Sequence, residues 1–266
     1  MMKNIFKTRY SSSIICLILC ISTCYGQAAV NNKIWSAGNA YTLPRQRIET
    51  GLFQPLRYGL SNSVELSAHP IFFFIIPNFT IKWSHGFYKG FALATRHGFD
   101  YPTLLLRTIA RKGTGGIISP EFDVPHMVAL NNELLMSRQF GSNYLLTGKA
   151  GIVLATRFGG LDTRTTIDLP LVFNRLLVFY HGYQLRTGME FEGKIYNKWN
   201  FSLDGDYYWI PGEKFNHAFE HKGFIHWRLS ERTKICLGYI LCYGQYPYGS
   251  QWHLLLPLID IQKAWN

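Results

Sequence analysis

Beyond the N-terminal segment, apolar and polar residues alternate with a period of two, in runs of ten or more residues separated by turn residues. In Tyr183–Ile195 the odd positions are Tyr183, Leu185, Thr187, Met189, Phe191, Gly193 and Ile195. The even positions are Gln184, Arg186, Gly188, Glu190, Glu192 and Lys194. Trp199–Trp209 places Trp199, Phe201, Leu203, Tyr207 and Trp209 on one face and Asn200, Ser202, Asp204 and Asp206 on the other. Lys234–Gly244 alternates Ile235, Leu237, Tyr239, Leu241 and Tyr243 with Lys234, Cys236, Gly238, Ile240 and Cys242. Asn143–Arg157 sets Tyr144, Leu146, Ile152 and Leu154 against Thr147, Lys149, Gly151 and Arg157. Successive side chains of a strand point to opposite faces, so this is strand periodicity.

Length separates two β-architectures. Strands of soluble proteins average about five or six residues, whereas a tilted transmembrane strand needs about 9–11. Trp199 and Trp209 lie ten positions apart on one face, ~33 Å along a strand and ~25 Å of height at a tilt of about 40°. That is the spacing of the two aromatic girdles of a membrane barrel, and Tyr183, Trp199, Trp209, Tyr239 and Tyr243 are the girdle candidates. A soluble sandwich shows the same alternation but accounts for neither the length nor the aromatics at both ends of the apolar face.

Weaker candidate strands are Gln46–Phe53, Ser63–His69, Phe79–Ser84, Lys89–Arg96, His126–Gln139, Thr166–Tyr180, Glu220–Ser230 and Trp252–Lys263. The fold class predicted is all-β, a closed antiparallel transmembrane barrel of about twelve strands, in a range of roughly ten to fourteen. On these assignments short and long connections do not alternate consistently. Gly98–Pro125 is the place where a hairpin is most readily missed or invented, and Thr103–Arg111 reads as a strand or a short helix.

Residues 1–26 have the layout of a cleaved secretory signal peptide: Lys3, Lys7 and Arg9, then apolar Ile14–Ile21, then Thr23-Cys24-Tyr25-Gly26. Ile21-Ser22-Thr23-Cys24 has the outline of a lipoprotein site, with Thr23 larger than the residue usual before a lipidated Cys. Residues 27–266 would form the barrel. The chain carries a formal +11, and removal of three leader cations leaves +8. Cys236 and Cys242, six residues apart on one strand, would be ~20 Å apart. That exceeds the reach of a disulfide. Only 16% of residues are charged and 16% are aromatic, which excludes a disordered chain. Past the leader the longest apolar run, Ile71–Ile76, is too short for a spanning helix. Its three consecutive Phe fit either a pocket lining or a membrane-dipping turn.

Thr42-Leu43-Pro44, Ile48-Glu49, Tyr58-Gly59-Leu60 and Val64-Glu65-Leu66, with a polar turn at Ser61-Asn62-Ser63, form a first hairpin. It resembles those that open Gram-negative outer-membrane barrels, including the meta-pathway phenol-degradation type. The resemblance covers about a tenth of the chain. It implies an outer-membrane barrel and, more weakly, passage of small organic solutes.

In such a barrel the polar face lines the lumen. Its candidates are Arg186, Glu190, Glu192, Lys194, Asp204, Asp206, Lys222, Arg228 and Lys234, with Glu49, Glu65, Lys82, Arg96, Glu133, Lys149 and Arg157 on other strands. A hairpin centred near Lys198 would set Glu192 against Asp204 and Glu190 against Asp206. Like charges in opposition are destabilising, so this group requires cations from Arg186, Lys194, Lys222, Arg228 and Lys234.

Three functions follow in order. The first is a transport or channel-like protein with a narrow charge-lined lumen and an unspecified substrate. The second is a structural or surface-interaction barrel closed by salt bridges. The third is an outer-membrane lipid hydrolase built on Ser67 and His69, two apart on one strand. His217-Ala218-Phe219-Glu220-His221 matches a zinc-protease pattern, but that pattern needs a helix. On a strand the two His stand ~13 Å apart. No catalytic residue, metal or cofactor is therefore assigned. The partners expected are outer-membrane lipids, lipopolysaccharide phosphates attracted by the basic loops, and a small solute, not nucleic acid.

Overall fold

A computed structural model describes residues 35, 37–171, 176–212, 214 and 216–265; the predicted leader lies outside the described residues. Twelve antiparallel strands form a closed barrel in which each pairs with its chain neighbours and the first closes on the last. They are β1 (Ile48–Thr50), β2 (Leu56–Gly59), β3 (Val64–Ala68), β4 (Asn78–Tyr88), β5 (Phe91–Asp100) and β6 (His126–Phe140). The others are β7 (Tyr144–Phe158), β8 (Tyr183–Tyr196), β9 (Trp199–Trp209), β10 (His217–Ser230), β11 (Thr233–Tyr246) and β12 (Gly249–Trp265).

Closure follows from backbone chemistry. An unpaired N–H or C=O in hydrocarbon costs several kcal/mol, and only a sheet joined to itself leaves no edge. The alternation then sorts side chains by solvent. Even-numbered residues of β8 to β11 point into the barrel and odd-numbered ones outward. Asp206, Glu220 and Lys234 are thus buried while Met189, Leu203, Ile225 and Leu237 are exposed. Aromatics ring both ends of the outer face. Trp199 and Trp227 stack at 5.8 Å near one end, and Tyr243 and Trp252 lie 4.8 Å apart near the other.

The connections alternate, against the sequence-based expectation. Residues 60–63, 89–90, 141–143, 197–198 and 231–232 make tight turns at one end; 51–55, 69–77, 101–125, 159–182, 210–216 and 247–248 lie at the other. Lys89 and Gly90 both have positive φ, 49° and 82°, as a two-residue hairpin turn matched to strand twist requires. Two errors had hidden this order. Leu56–Gly59 is a strand omitted from the candidate strands. Thr166–Tyr180 is not a strand: its described residues form an irregular inward-folded segment that ends in helix α2 (Val178–His181). One error shifted the parity of the connections and the other restored it, so the count of twelve survived both.

Thr103–Ile109 is a helix, α1. Thr103 Oγ1 donates to Pro125 O at 3.1 Å and accepts from Met127 N at 2.8 Å, which folds the 101–125 connection over the barrel mouth. Leu106, Val124, Met127, Val153, Leu176, Val178 and Phe179 form one apolar cluster there.

β1 and β3, with three and five residues, are shorter than predicted, and with the four-residue β2 none reaches the length of a membrane-spanning strand. β1 pairs with β12 over Lys263–Trp265 alone. Toward the long-connection end that sector of the wall is completed by segments 51–55 and 69–77. There Leu52, Ile71, Phe73 and Phe74 are exposed, Phe74 at 81%. The triple-Phe segment is a 3-10 turn on the outside of the barrel, not a pocket lining.

Gly223 sits directly opposite Tyr239 on the outer face, and a Cβ on it would come 2.7 Å from the Tyr239 ring. Gly223→Ala should destabilise the barrel by about 1–3 kcal/mol through overpacking. Tyr239→Ala should relieve most of that cost. A double-mutant cycle of urea unfolding in lipid vesicles will show this as strong non-additivity.

Candidate functional site

The lumen wall carries two chains of ion pairs. In the first, Arg57 on β2 bonds Glu49 of β1 at 3.0 Å and Glu65 of β3 at 2.9 Å. Lys82 of β4 adds a contact to Glu65 at 3.3 Å, and Arg47 one to Glu49 at 2.7 Å. Arg57, Lys82 and Glu49 are at most 2% exposed. The second chain runs over five strands. Arg96 of β5 pairs with Glu133 of β6. Arg186 of β8 joins Glu133 at 3.4 Å to Asp206 of β9 at 2.6 Å, and Lys149 of β7 bridges Asp204 and Asp206. Lys222 and Glu220 pair on β10 at 2.5 Å. Charges removed from water persist only where a partner and further hydrogen bonds compensate them.

Two chain segments fold into this charged bore. The stretch from Trp35 to Pro44 crosses the short-turn end as a plug, held by side chains from around the wall. Ser137 accepts from Ala40 N at 2.8 Å, and Glu65 accepts from Leu43 N at 3.0 Å. Lys82 and Arg96 donate to the carbonyls of Asn39 and Ala37, and Asn39 donates to Glu192. Gly38 passes Glu190 so closely that a Cβ would stand 2.7 Å from its Cδ. From the other end, Tyr246 Oη accepts from Asp168 N at 2.9 Å, and Leu171 packs on Ile240, Cys242 and Leu258. At the start of that connection Arg164 bonds Asp162 and draws its carboxyl down to about 2.

Between these segments lie two cavities of about 360 and 560 Å³, which share Arg96, Arg186 and Lys222 in their linings. Among the predicted lumen residues, Arg186, Glu190, Glu192, Lys194, Asp204, Lys222, Arg228 and Lys234 line one or both, and Asp206 is buried in the wall behind them. The expected opposition of acids is displaced by two residues. Glu190 faces Asp204, Glu192 faces Ser202, and Gly188 faces Asp206. A two-residue turn at Asn197-Lys198 and a bulge between Lys194 and Tyr196 shift the register. The expected cations differ too. Lys149 and Arg186 neutralise the two aspartates, and Lys222 serves Glu220. Lys194, Arg228 and Lys234 make no ion pair among the described residues.

Of the girdle candidates, Tyr183, Trp209 and Tyr243 stand toward the long-connection end of the outer face and Trp199 toward the short-turn end. Tyr239 sits at mid-strand, bonded to His221 at 3.1 Å. Sequence reasoning missed Arg57, because its strand is four residues long. It also missed Glu220 and Asp260 as inward groups, and the plug, whose small residues Ala37-Gly38-Asn39-Ala40 show no period.

The remaining motifs do not assemble. β10 directs Glu220 inward and His217 and His221 outward, so the three do not converge. His69 Nδ1 accepts from Phe72 N at 3.3 Å, and no bond joins it to Ser67 among the described residues. Cys236 and Cys242 are buried on β11 and unpaired.

Arg57→Gln should leave Glu49 and Glu65 short of a shared buried cation and cost about 3–5 kcal/mol in urea unfolding. Arg57→Gln combined with Glu65→Gln should recover part of that loss. An additive double mutant would contradict the coupling.

No family model and no curated protein matches the chain. Among solved structures it is similar to a bacterial polysaccharide outer membrane secretin, at 8% identity and a TM-score of 0.43 over 82% of this chain and 70% of that one. It is similar to the outer membrane channel DcaP of Acinetobacter baumannii, at 9% identity and 0.39 over 90% and 69%. The CymD monoaromatic hydrocarbon channel gives 10% and 0.37 over 82% and 50%. Each of these likenesses is distant.

Proposed function

We propose that this chain is an outer-membrane barrel that passes small polar or charged solutes and is held closed, in the state described, by its own N-terminal segment. The observation that carries this reading is the pair of adjoining charge-lined cavities inside a closed barrel with an apolar outer face. Short turns at one end and long connections at the other support an orientation with the turns, the plug and Trp265 on the periplasmic side. The exposed Phe73 and Phe74 suit contact with the membrane interface. Arg107, Arg111, Lys112 and Arg164, exposed on the long connections, suit lipopolysaccharide phosphates.

A second reading, a sealed structural barrel, is favoured by the plug and by the inward fold of the 159–182 connection. Conductance in planar bilayers separates the two. The wild type should open rarely. Gly38→Leu, which drives a side chain into Glu190, and deletion of residues 35–42 should each raise conductance several-fold. A deletion variant that folds and inserts but carries no current would overturn solute passage in favour of the sealed barrel.

A further inference from the structure

Three lumen cations stand apart from the ion-pair wall. Lys194 on β8, Arg228 on β10 and Lys234 on β11 all line the 560 Å³ cavity near the short-turn mouth. Arg228 and Lys234 are direct register partners with both side chains on the inner face. Opposed Cβ atoms are about 4.5–5.5 Å apart, and like charges in that position repel. Lys234 is buried, and its ammonium donates to the Trp35 carbonyl at 3.4 Å and lies 5.4 Å from the centre of the Trp35 ring.

Every other lysine or arginine in the linings of the two cavities has a carboxylate within ion-pair distance. Of the acids lining the larger cavity, Glu192 is the one whose charge acts on both Arg228 and Lys234, from beyond ion-pair distance, and Glu49 of the wall acts on Lys234 as well. Asp204 holds Lys149, Glu192 also accepts from Asn39, and Asp260 accepts from Leu52 N at 2.6 Å and Gln262 at 2.8 Å, while Glu190, opposite Asp204, keeps a buried Oε2 without a hydrogen-bond partner. His226, between the cations, is held by Ser202 at 2.8 Å and Cys236 at 3.1 Å, so it adds no charge-balancing group. Among the described residues six lumen cations hold an acid at ion-pair distance, while Arg228 and Lys234 share the more distant Glu192, so this mouth is short of negative charge.

We propose that Lys194, Arg228 and Lys234 form an oxyanion site at the short-turn mouth of the lumen, which takes the phosphate or carboxylate group of a small solute. The guanidinium fork and the two ammonium groups supply charge-assisted hydrogen bonds, and the bound anion cancels the repulsion between Arg228 and Lys234. The site deepens the solute-passage reading by naming the solute's charge. Its occupancy is measurable whether or not the barrel conducts.

The test uses the full chain folded in detergent, titrated with orthophosphate and, separately, with succinate, against sodium chloride at equal ionic strength. Thermal unfolding and calorimetry are the readouts. Either oxyanion should raise the unfolding midpoint saturably, as a ligand of the native state does, and chloride should not. Response to phosphate alone, or to succinate alone, identifies the group recognised and supports the site. Lys234→Gln and Arg228→Gln should each unfold at a higher temperature than wild type without anion, and should bind at least about tenfold more weakly. An oxyanion effect no larger than that of chloride, or affinity unchanged in either variant, would overturn the proposal. Loss of conductance with binding intact would remove the channel reading and leave the site standing.

Discussion

The rest of the structure depends on one constraint: a backbone placed in hydrocarbon keeps every amide and carbonyl paired. Nine of the twelve strands meet it over ten to seventeen residues of ladder. The first three do not, and the chain satisfies their sector by side chains instead. Asp260 accepts from the amides of Leu52 and Phe53. Asn78 accepts from His69 N and donates to Ile76 O. The wall there is a patchwork, held to β12 by three residue pairs at the short-turn end and by capped loops above them.

Inside, the same exclusion of water acts on charge. A lone buried ion costs several kcal/mol, and a pair recovers that only with good geometry and further hydrogen bonds. Arg57 meets those terms by placing three nitrogens on two glutamates. Arg186 does so by bridging strands that are not neighbours, Glu133 of β6 and Asp206 of β9. Such bridges fix the width of the bore, and the plug uses the same groups: Glu65, Lys82 and Arg96 each hold a wall partner and a plug amide or carbonyl. Displacing the plug therefore does not require the wall to come apart, because each of these side chains keeps its partner on the wall.

The strands legible in the sequence were those where burial alternates cleanly. Tyr183–Ile195 and Trp199–Trp209 were placed within a residue of their observed bounds. What failed was whatever lacks a period. Leu56–Gly59 is too short to show one, and the plug adopts an irregular path that depends on polar groups from six strands. Thr166–Tyr180 is apolar for a different reason: Leu171 packs on the inner faces of β11 and β12, and Leu176, Val178 and Phe179 pack in the barrel mouth. The side of each lumen residue was read from parity, which needs no partner. The pairings were not, because a left-handed Asn197 and one bulge moved the β8–β9 register by two residues without changing which face any side chain occupies.

The two mouths of the lumen are stopped by different parts of the chain, and on the proposed function that difference bears on how a solute would cross. The long-connection mouth is stopped by an apolar cluster in which Leu106, Val178 and Phe179 are all at most 2% exposed. The short-turn mouth is stopped by the plug, whose backbone is held by wall side chains and whose Ala40 and Tyr41 pack on Ala92, Ala94, Leu135 and Leu145. A shift of the plug alone thus opens a vestibule and not a continuous path. On the proposed function, passage would require α1, α2 and the described residues packed with them to move as well.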